Sequence, residues 1–410
     1  MELTPGYKRT EAGVIPEDWL EHTIGELIEF EGGSQPDKSY FRASWKRGYV
    51  RLIQIRDYKT DKYETYVPTH LARRFCTEHD IMIGRYGPPV FQILRGIDGA
   101  YNVALIKAKP GPGINGSYMY YFLKQDKLFS FIEKLSQRSS GQTGVDLKEL
   151  RQYALPLPPT KAEQEAIAEA LSDTDALIES LEQLITKKRH LKQGAMKELL
   201  TVKKRLPGFS GEWEVKRLGE LFEITSSKRV FQSEWTTRGI PFYRARELAV
   251  LGEQGFVDNE LFITKEMYTS HKKAYGVPAI GDFLVTGVGT LGKVYAVEDE
   301  REFYFKDGNI IWFKCAGKIS SEFLKQLYST PLIIKQIEDG SEGTTVGTYT
   351  ITNAKNTIIP FPPIPEQTAI ATILSSMDAE ITTLETKLAK TRQLKQGMMH
   401  NLLTGRIRLI

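Results

Sequence analysis

Apolar residues recur at seven-residue intervals along two stretches of this chain. In the first, Leu171, Ile178, Ile185, Lys192 and Leu199 interleave with Ile167, Thr174, Leu181, Lys188 and Ala195. In the second, Leu374, Ile381, Leu388, Lys395 and Leu402 interleave with Ile370, Met377, Leu384, Thr391 and Met398. A heptad pattern of this length predicts two long helices, each with a coiled-coil-like seam. At about 1.5 Å per residue, each would be on the order of 60 Å long. Thr160 and Glu163 have capping-box spacing at the start of the first, and Pro365 with Glu366 suits the first turn of the second. Pro207-Gly208 and Gly405 are the expected stops. Lys192 and Lys395 fall on seam positions, where a polar residue lowers stability and fixes register. Gly194 and Gly397 interrupt the helix interiors at about 1 kcal/mol each relative to alanine. Their occurrence in both stretches points to close approach of another backbone.

The two stretches are copies of one another. Residues 163–206 and 366–409 align without a gap at a constant offset of 203, with about half of the positions identical. A weaker echo precedes each copy. Trp19-x5-Gly25-Glu26-Leu27-Ile28-Glu29 matches Trp213-x5-Gly219-Glu220-Leu221-Phe222-Glu223, and Asn102-Val-Ala-Leu-Ile-Lys107 matches Asn309-Ile-Ile-Trp-Phe-Lys314. The segments 139–145 and 340–346 also correspond. The period is far longer than the roughly 20–50 residues of a solenoid repeat. It predicts globular segments at 1–157 and 207–361, helical segments at 158–206 and 362–410, and approximate two-fold symmetry. Within the globular segments, aromatic and β-branched runs at 49–55, 80–83, 283–286, 294–297 and 310–313 predict strands. Helical spacing marks 118–135 and 321–337. The fold class is α+β, with two β-rich domains alternating with two long helices.

Composition narrows this picture modestly. At 410 residues more than one core is expected. No stretch of about 18 apolar residues is available to span a membrane, and the N-terminal residues lack an apolar signal region. Two cysteines, Cys76 and Cys315, form no pairing framework, so a reduced, cytoplasmic protein is the expectation. A formal charge of +4 is mild, and any nucleic-acid binding must use local clusters.

With these residues in view, the chain resembles the specificity (S) subunits of type I restriction–modification systems. That family's helical regions open with a Pro-Leu-Pro-Pro-x-x-Glu-Gln pattern, which stands here at 155–164 with one extra residue and at 359–367. The Trp-x5-Gly-Glu-Leu openings, Gly281-Asp282-Phe-Leu and Gly343-Thr-Thr are similar to the family's as well. The first globular segment has His79-Asp80 and Gly84-Arg-Tyr-Gly87 at the corresponding places. The resemblance implies a non-catalytic DNA-reading subunit with two target-recognition domains, each contacting one half of a bipartite, asymmetric site in double-stranded DNA. It implies that the two helices pair as an antiparallel coiled coil that sets the spacing between half-sites. It further implies that the helical regions dock two modification (methyltransferase) subunits, which bring S-adenosylmethionine, and that restriction subunits join with ATP and Mg. No cofactor is expected on this chain.

The residues fit that division. No Walker A loop and no amino-methyltransferase Asp/Asn-Pro-Pro-Tyr/Phe signature is present, and the histidines are scattered. Gly287-Val-Gly289-Thr-Leu-Gly292 satisfies a dinucleotide fingerprint, but an extended pattern follows it where a helix is needed. It reads as a turn between strands, with Thr286, Thr290 and Lys293 placed to meet a phosphate or a base edge. Forked donors match purine edges in the major groove. On that ground the base-reading candidates are Arg51, Gln54, Arg56, Arg85, Tyr86, Gln142 and Thr143 in the first domain. In the second they are Lys228, Arg229, Arg244, Arg246, Thr290, Lys293, Thr344 and Thr345. Glu163, Gln164, Gln193, Gly194, Glu366, Gln367, Gln396 and Gly397, repeated at the offset, are the partner-binding candidates. Three readings stay open beside this one: the recognition subunit of a related methyltransferase–nuclease complex, a coiled-coil scaffold that binds protein, and an enzyme built on the 287–292 loop.

Overall fold

The computed structural model describes residues 5–87, 89–138, 144–201, 203–315, 317–341 and 347–409. Packing divides the chain into two compact units, Met1–Glu182 with Thr386–Ile410, and Gln183–Glu385. Each unit therefore holds one globular segment, the start of one long helix and the end of the other.

The two globular segments share a topology that their sequences barely suggest. In the first unit the strands Ile28–Gly32, Leu105–Pro110, Ile81–Gly84 and Ile93–Arg95 form an antiparallel sheet in that order. In the second, Phe222–Thr225, Ile310–Cys315, Phe283–Thr286 and Val294–Ala296 do the same. A smaller sheet in each is built around a parallel pair, Tyr49–Ile53 with Gly99–Tyr101 and Ile240–Tyr243 with Tyr304–Phe305. The strands Ile81–Gly84 and Phe283–Thr286 are apolar almost throughout because they serve two cores. Ile81 and Ile83 pack with Phe122 and Leu171, while Met82 points the other way to Ile53 and Tyr101. Phe283 and Val285 pack with Leu327 and Leu374, and Leu284 with Phe305 and Trp312. Successive side chains of a strand face opposite sides, so a strand covered on both shows no alternation.

The repeated Trp-x5-Gly-Glu-Leu motif has a local cause. Its glutamate caps a short helix: Thr23 N–H donates to Glu26 Oε2 at 2.8 Å and Arg217 N–H to Glu220 Oε1 at 2.9 Å. Its glycine admits a neighbour, since a Cβ on Gly25 would meet Arg151 Cβ at 2.9 Å and one on Gly219 the Lys355 carbonyl oxygen at 3.1 Å. The helices expected at 118–135 and 321–337 are each broken into two, Gly116–Leu123 with Asp126–Arg138 and Ser321–Tyr328 with Pro331–Ser341. Pro331 explains the second break, because proline disfavours helical backbone at the residue before it and suits the first turn after it.

The long helices span Lys161–Leu199 and Ile364–Leu402, 39 residues each. Both end short of the expected stops at Pro207-Gly208 and Gly405. The next residues, Leu200 and Leu403, are fully buried in the domain cores, and drawing them in turns the chain out of the helix. Within each unit the two helix segments run antiparallel, and the contacts repeat at the offset. Lys395 Nζ meets Asp175 Oδ1 at 2.5 Å in one unit, and Lys192 Nζ meets Asp378 Oδ1 at 2.6 Å in the other. Arg392–Glu182 and Arg189–Glu385 repeat likewise at 2.5 and 2.6 Å. The seam lysines are thus neutralised across the pair. Each aspartate also accepts a hydrogen bond from its own globular domain, from Tyr121 Oη at 3.0 Å and from Gln326 Nε2 at 2.9 Å.

The helix starts are latched more deeply. Glu163 and Glu366 are buried and held by Arg408 and Arg205; Arg205 Nε and Nη2 reach Glu366 at 2.6 and 2.7 Å. Thr160 caps the Glu163 N–H at 3.2 Å, but the Glu163 carboxylate turns to Arg408 instead of completing the capping box. Gln164 accepts the Asn115 N–H at 2.7 Å and Gln367 the Ser320 N–H at 2.9 Å, and each donates to a proline carbonyl, Pro158 or Pro362. The partner-binding expectation for Glu163, Gln164, Glu366 and Gln367 is therefore corrected. They fasten helix to domain inside their own unit, with no surface left for another protein. Gly194 and Gly397 are exposed, and among the described residues nothing lies within 4 Å of a Cβ built on either, so no backbone of this chain makes the close approach expected there.

Two outcomes follow. Arg205→Ala leaves a carboxylate with 0% exposure without its cation and with the Trp213 indole as its remaining donor, and should lower stability in denaturant unfolding by about 3–5 kcal/mol; a loss below about 1 kcal/mol would show the latch to be incidental. Gly194→Ala and Gly397→Ala should each raise the unfolding free energy of the isolated chain by up to about 1 kcal/mol, read as a higher denaturant midpoint.

Candidate nucleic-acid interface

In both units the leading strand of the small sheet runs into a capped helical turn, and this device sorts the candidate residues. After Tyr49–Ile53, Gln54 caps the turn Ile55–Tyr58, its N–H donating to Asp57 Oδ2 at 2.7 Å. After Ile240–Tyr243, Arg244 caps the helix Ala245–Gln254, its N–H donating to Glu247 Oε2 at 3.0 Å. Asp57 and Glu247 are both buried. An acid three residues after the cap satisfies a free N–H and favours the positive end of the helix dipole.

Acidic neighbours decide which arginines are held in place. Arg244 commits its guanidinium to Glu247, with Nη2 at 2.6 Å and Nε at 3.0 Å. Arg51 is half-buried and bridges Asp61 and Glu64, each at 2.9 Å. Both hold the turn in shape. Arg56 and Arg246 occupy one and the same place, the second residue after the cap, and both are exposed. Arg56 Nη2 donates to Thr65 Oγ1 at 3.0 Å, beside the Gln54 amide, which donates to the same oxygen at 2.9 Å. Arg246 makes no ion pair among the described residues. Burial pushes the Asp57 carboxyl up, and its bond to the Gln54 N–H and the nearby charge of Arg51 only partly offset that. Burial acts on Glu247 in the same sense, but there the side-chain and backbone bonds of Arg244 prevail and hold it below the usual range.

A second pair of loops also corresponds. Arg85 N–H donates to the Ala104 carbonyl and Gly287 N–H to that of Asn309, both at 2.8 Å. Tyr86 bridges to Gly144 where Val288 bridges to Thr348. Gly87 and Gly289 follow with φ of +95° and +80°. The two loops share a backbone path despite their different residues, and the Arg85 guanidinium lies 5.1 Å from the Tyr86 ring centre. The 287–292 segment is a turn between the antiparallel strands Phe283–Thr286 and Val294–Ala296. Thr286 is buried and closes it, accepting the Lys293 N–H at 3.0 Å and donating to the Thr290 carbonyl. A strand follows the glycines, so no helix N-terminus faces a pyrophosphate. Thr290 and Lys293 are exposed on the turn, whereas the expectation that Thr286 meets DNA is corrected by its burial.

Lys228 is exposed over the Tyr275 ring at 5.5 Å, and Arg229 pairs with Asp307 at 2.8 Å. His271 packs beside them against Tyr304 at 5.1 Å, and burial lowers its pKa. Gln142, Thr143, Thr344 and Thr345 lie outside the described residues. Of the remaining partner candidates, Gln193 and Gln396 are exposed, and Gln396 donates to Asp126 at 3.2 Å. Among the described residues no group of three His, Cys, Asp or Glu is placed to hold a metal ion, and no helix is long and apolar enough to cross a membrane. Sequence reasoning overlooked Asp57 and Glu247. The signal was available in the polar cap residue followed by an acid three positions on.

The sequence matches the profile of a family described as the type I restriction modification DNA specificity domain, over residues 16–187 and again over 210–394. It is 26% identical to the type I restriction enzyme MjaVIII specificity subunit of Methanocaldococcus jannaschii, covering 96% of this chain and 94% of that protein. It is 23% identical to the type I restriction enzyme EcoBI specificity subunit of Escherichia coli, over 96% and 87% of the two chains. The fold is similar to a crystal structure of the S subunit of a type I restriction–modification system from M. genitalium, with TM-score 0.58, 17% identity and 98% of each chain covered.

The two buried acids should respond differently to neutralisation. Glu247→Gln removes a charge-assisted pair and should cost about 1.5–3 kcal/mol, whereas Asp57→Asn keeps a capping oxygen, relieves a buried charge and should cost nothing measurable. Because the Glu247 pKa is lowered on folding, its contribution is present above the ordinary carboxylate range and lost as pH falls below it. Stability profiles of wild type and Glu247→Gln should accordingly converge in acid. Equal losses for the two variants, independent of pH, would contradict this assignment.

Proposed function

The chain belongs to the type I restriction–modification DNA specificity family, and from that premise we propose that it reads a bipartite duplex sequence, one part with each unit. The observation that carries this reading is the duplicated strand–cap–turn scaffold, which presents an exposed arginine at one position, Arg56 or Arg246, among unlike loops. An exposed guanidinium offers two parallel donors that match the O6 and N7 of a guanine in the major groove. Unlike surroundings on a common frame suit two unlike half-sites. Arg51 and Arg244 act in this reading as positioning residues, and Arg85, Tyr86, Lys228, Thr290 and Lys293 as further contacts to base or phosphate.

Methyl transfer and cleavage belong in this proposal to partner subunits, which carry S-adenosylmethionine, ATP and Mg. Two modification subunits dock on the exposed helix faces that repeat at the offset. There Leu191 and Leu394 are 51% and 61% exposed beside Gln193-Gly194 and Gln396-Gly397. The helices, shared by both units, set the number of unspecified base pairs between the half-sites.

Methylation profiling of the complex assembled with Arg56→Ala or Arg246→Ala tests the reading. Each variant should lose discrimination in one half-site only, and the two halves should differ. A lost bidentate contact corresponds to about 1–3 kcal/mol, a roughly 10- to 100-fold change. Identical losses, or uniform weakening across all sequences, would assign these arginines to phosphate and overturn the modular reading. A duplex affinity insensitive to salt would favour a protein-binding scaffold instead.

A further inference from the structure

Residues 38–56 of the first unit contain Lys38, Arg42, Lys46, Arg47, Arg51 and Arg56 and no acidic residue. Arg51 is neutralised by Asp61 and Glu64. Lys38, Arg42, Lys46 and Arg47 are exposed and form no ion pair among the described residues. In their midst Trp45 is 67% exposed. Of the five tryptophans it alone stands in solvent, since Trp19, Trp213 and Trp312 are buried and Trp235 is half-buried. An indole left outside gives up the stabilisation that burial of a large apolar side chain provides. Uncompensated cations on one surface are the electrostatic footprint of a nucleic-acid site, and an exposed ring among them offers apolar contact to the sugars and base edges of a groove.

The loop is held in place while its tip is left outside. Arg42 and Tyr66 exchange backbone hydrogen bonds at 3.0 and 2.8 Å, the Tyr49 N–H donates to the Lys46 carbonyl at 2.9 Å, and the Thr69 N–H to that of Gly48 at 2.9 Å. Phe41 packs on Leu52, Val67 and Ala100. The Arg42 guanidinium folds back on the carbonyls of Ser39 and Phe41, at 3.2 and 2.9 Å. Tyr66 also pairs with Arg51, so Arg42, Tyr66 and Arg51 form one row across the sheet and share a face. Arg56 touches Thr65, the residue just before the strand Tyr66–Pro68.

The second unit lacks this feature. Its bridge Thr236–Phe262 stands where Arg42–Tyr66 does. Three residues, 237–239, separate it from the strand Ile240–Tyr243, against six, 43–48, before Tyr49–Ile53. Trp235 there turns inward against Phe242, 5.8 Å between ring centres. Arg47-Gly48 before the strand has a counterpart in Arg238-Gly239, with Arg238 exposed too, but Trp45 and Lys46 lie in the longer segment that the first unit has before it.

We propose that the 42–48 loop is a second DNA-gripping element confined to the first unit, resting on the DNA-reading function above. Lys38, Lys46 and Arg47 contact backbone phosphates, and Trp45 buries its indole against the same duplex. The half-site read by the first unit is thereby held more tightly, and more salt-dependently, than the other.

Acrylamide quenching of the full chain, with and without sheared genomic duplex, tests this directly. The wild type should show a strongly quenched tryptophan component that is absent in Trp45→Phe and becomes shielded when duplex is added. Lys46→Ala with Arg47→Ala should reduce the slope of log K against log salt by about 1.8, two phosphate contacts at roughly 0.9 each, with the far-ultraviolet spectrum unchanged. Duplex binding with Trp45 still freely quenched and the slope unaltered would overturn the proposal and leave DNA reading intact. Shielding of Trp45 by a modification subunit in the absence of duplex would also overturn it. Absence of salt-dependent duplex binding by the wild type would remove both proposals together.

Discussion

Glu366 is a carboxyl side chain with no exposure to solvent, and the second unit is arranged around keeping it paired. Arg205 supplies two donors and the Trp213 indole a third at 3.0 Å, while the adjoining Gln367 is fully bonded to the globular domain. A buried charge is tolerated only when its hydrogen bonds are met, and the penalty for losing one partner is several kcal/mol. The angle at which the helix leaves the domain is fixed by that requirement. Glu163, Arg408 and Gln164 impose the same constraint in the first unit, with Asp18 taking a share of Arg408 at 2.9 and 3.0 Å. One difference stands out: the Trp19 indole N–H is buried without a hydrogen-bond partner among the described residues.

Because both copies obey the same rule, the contacts between the long helices are reciprocal. Asp175 meets Lys395 as Asp378 meets Lys192, and Glu182 meets Arg392 as Glu385 meets Arg189. Each aspartate also binds its own domain, through Tyr121 or Gln326, so helix register and domain position are set by one group. The exposed parts of the molecule are relieved of this duty. The cap residues, the hairpin turns and the 42–48 loop are free to differ between the units, and they do.

How much of this was legible in the sequence depended on whether the determinant was local. The heptad pattern, the 203-residue offset and the extended character after Gly292 follow from periodicities of one chain segment, and the helices and the turn between strands are found where they point. Family membership was legible for the same reason, since the Pro-Pro-x-x-Glu-Gln openings are short and repeated. The free and engaged arginines could not be told apart. Arg51 and Arg56, or Arg244 and Arg246, are alike in type and spacing, and only the position of Asp61, Glu64 and Glu247 separates them.

By itself, then, the sequence determined that this is a tandem repeat of an α+β domain and a long helix, because helical and strand periodicity and cap chemistry act over a few residues. The tertiary structure decided that the repeated Glu-Gln pairs are buried latches, that Gly194 and Gly397 stand open, and that each compact unit takes its helix halves from both copies. Those outcomes turn on which charges lose their water when distant segments meet. Desolvation of that kind is a property of the packed chain, and no spacing along the sequence encodes it.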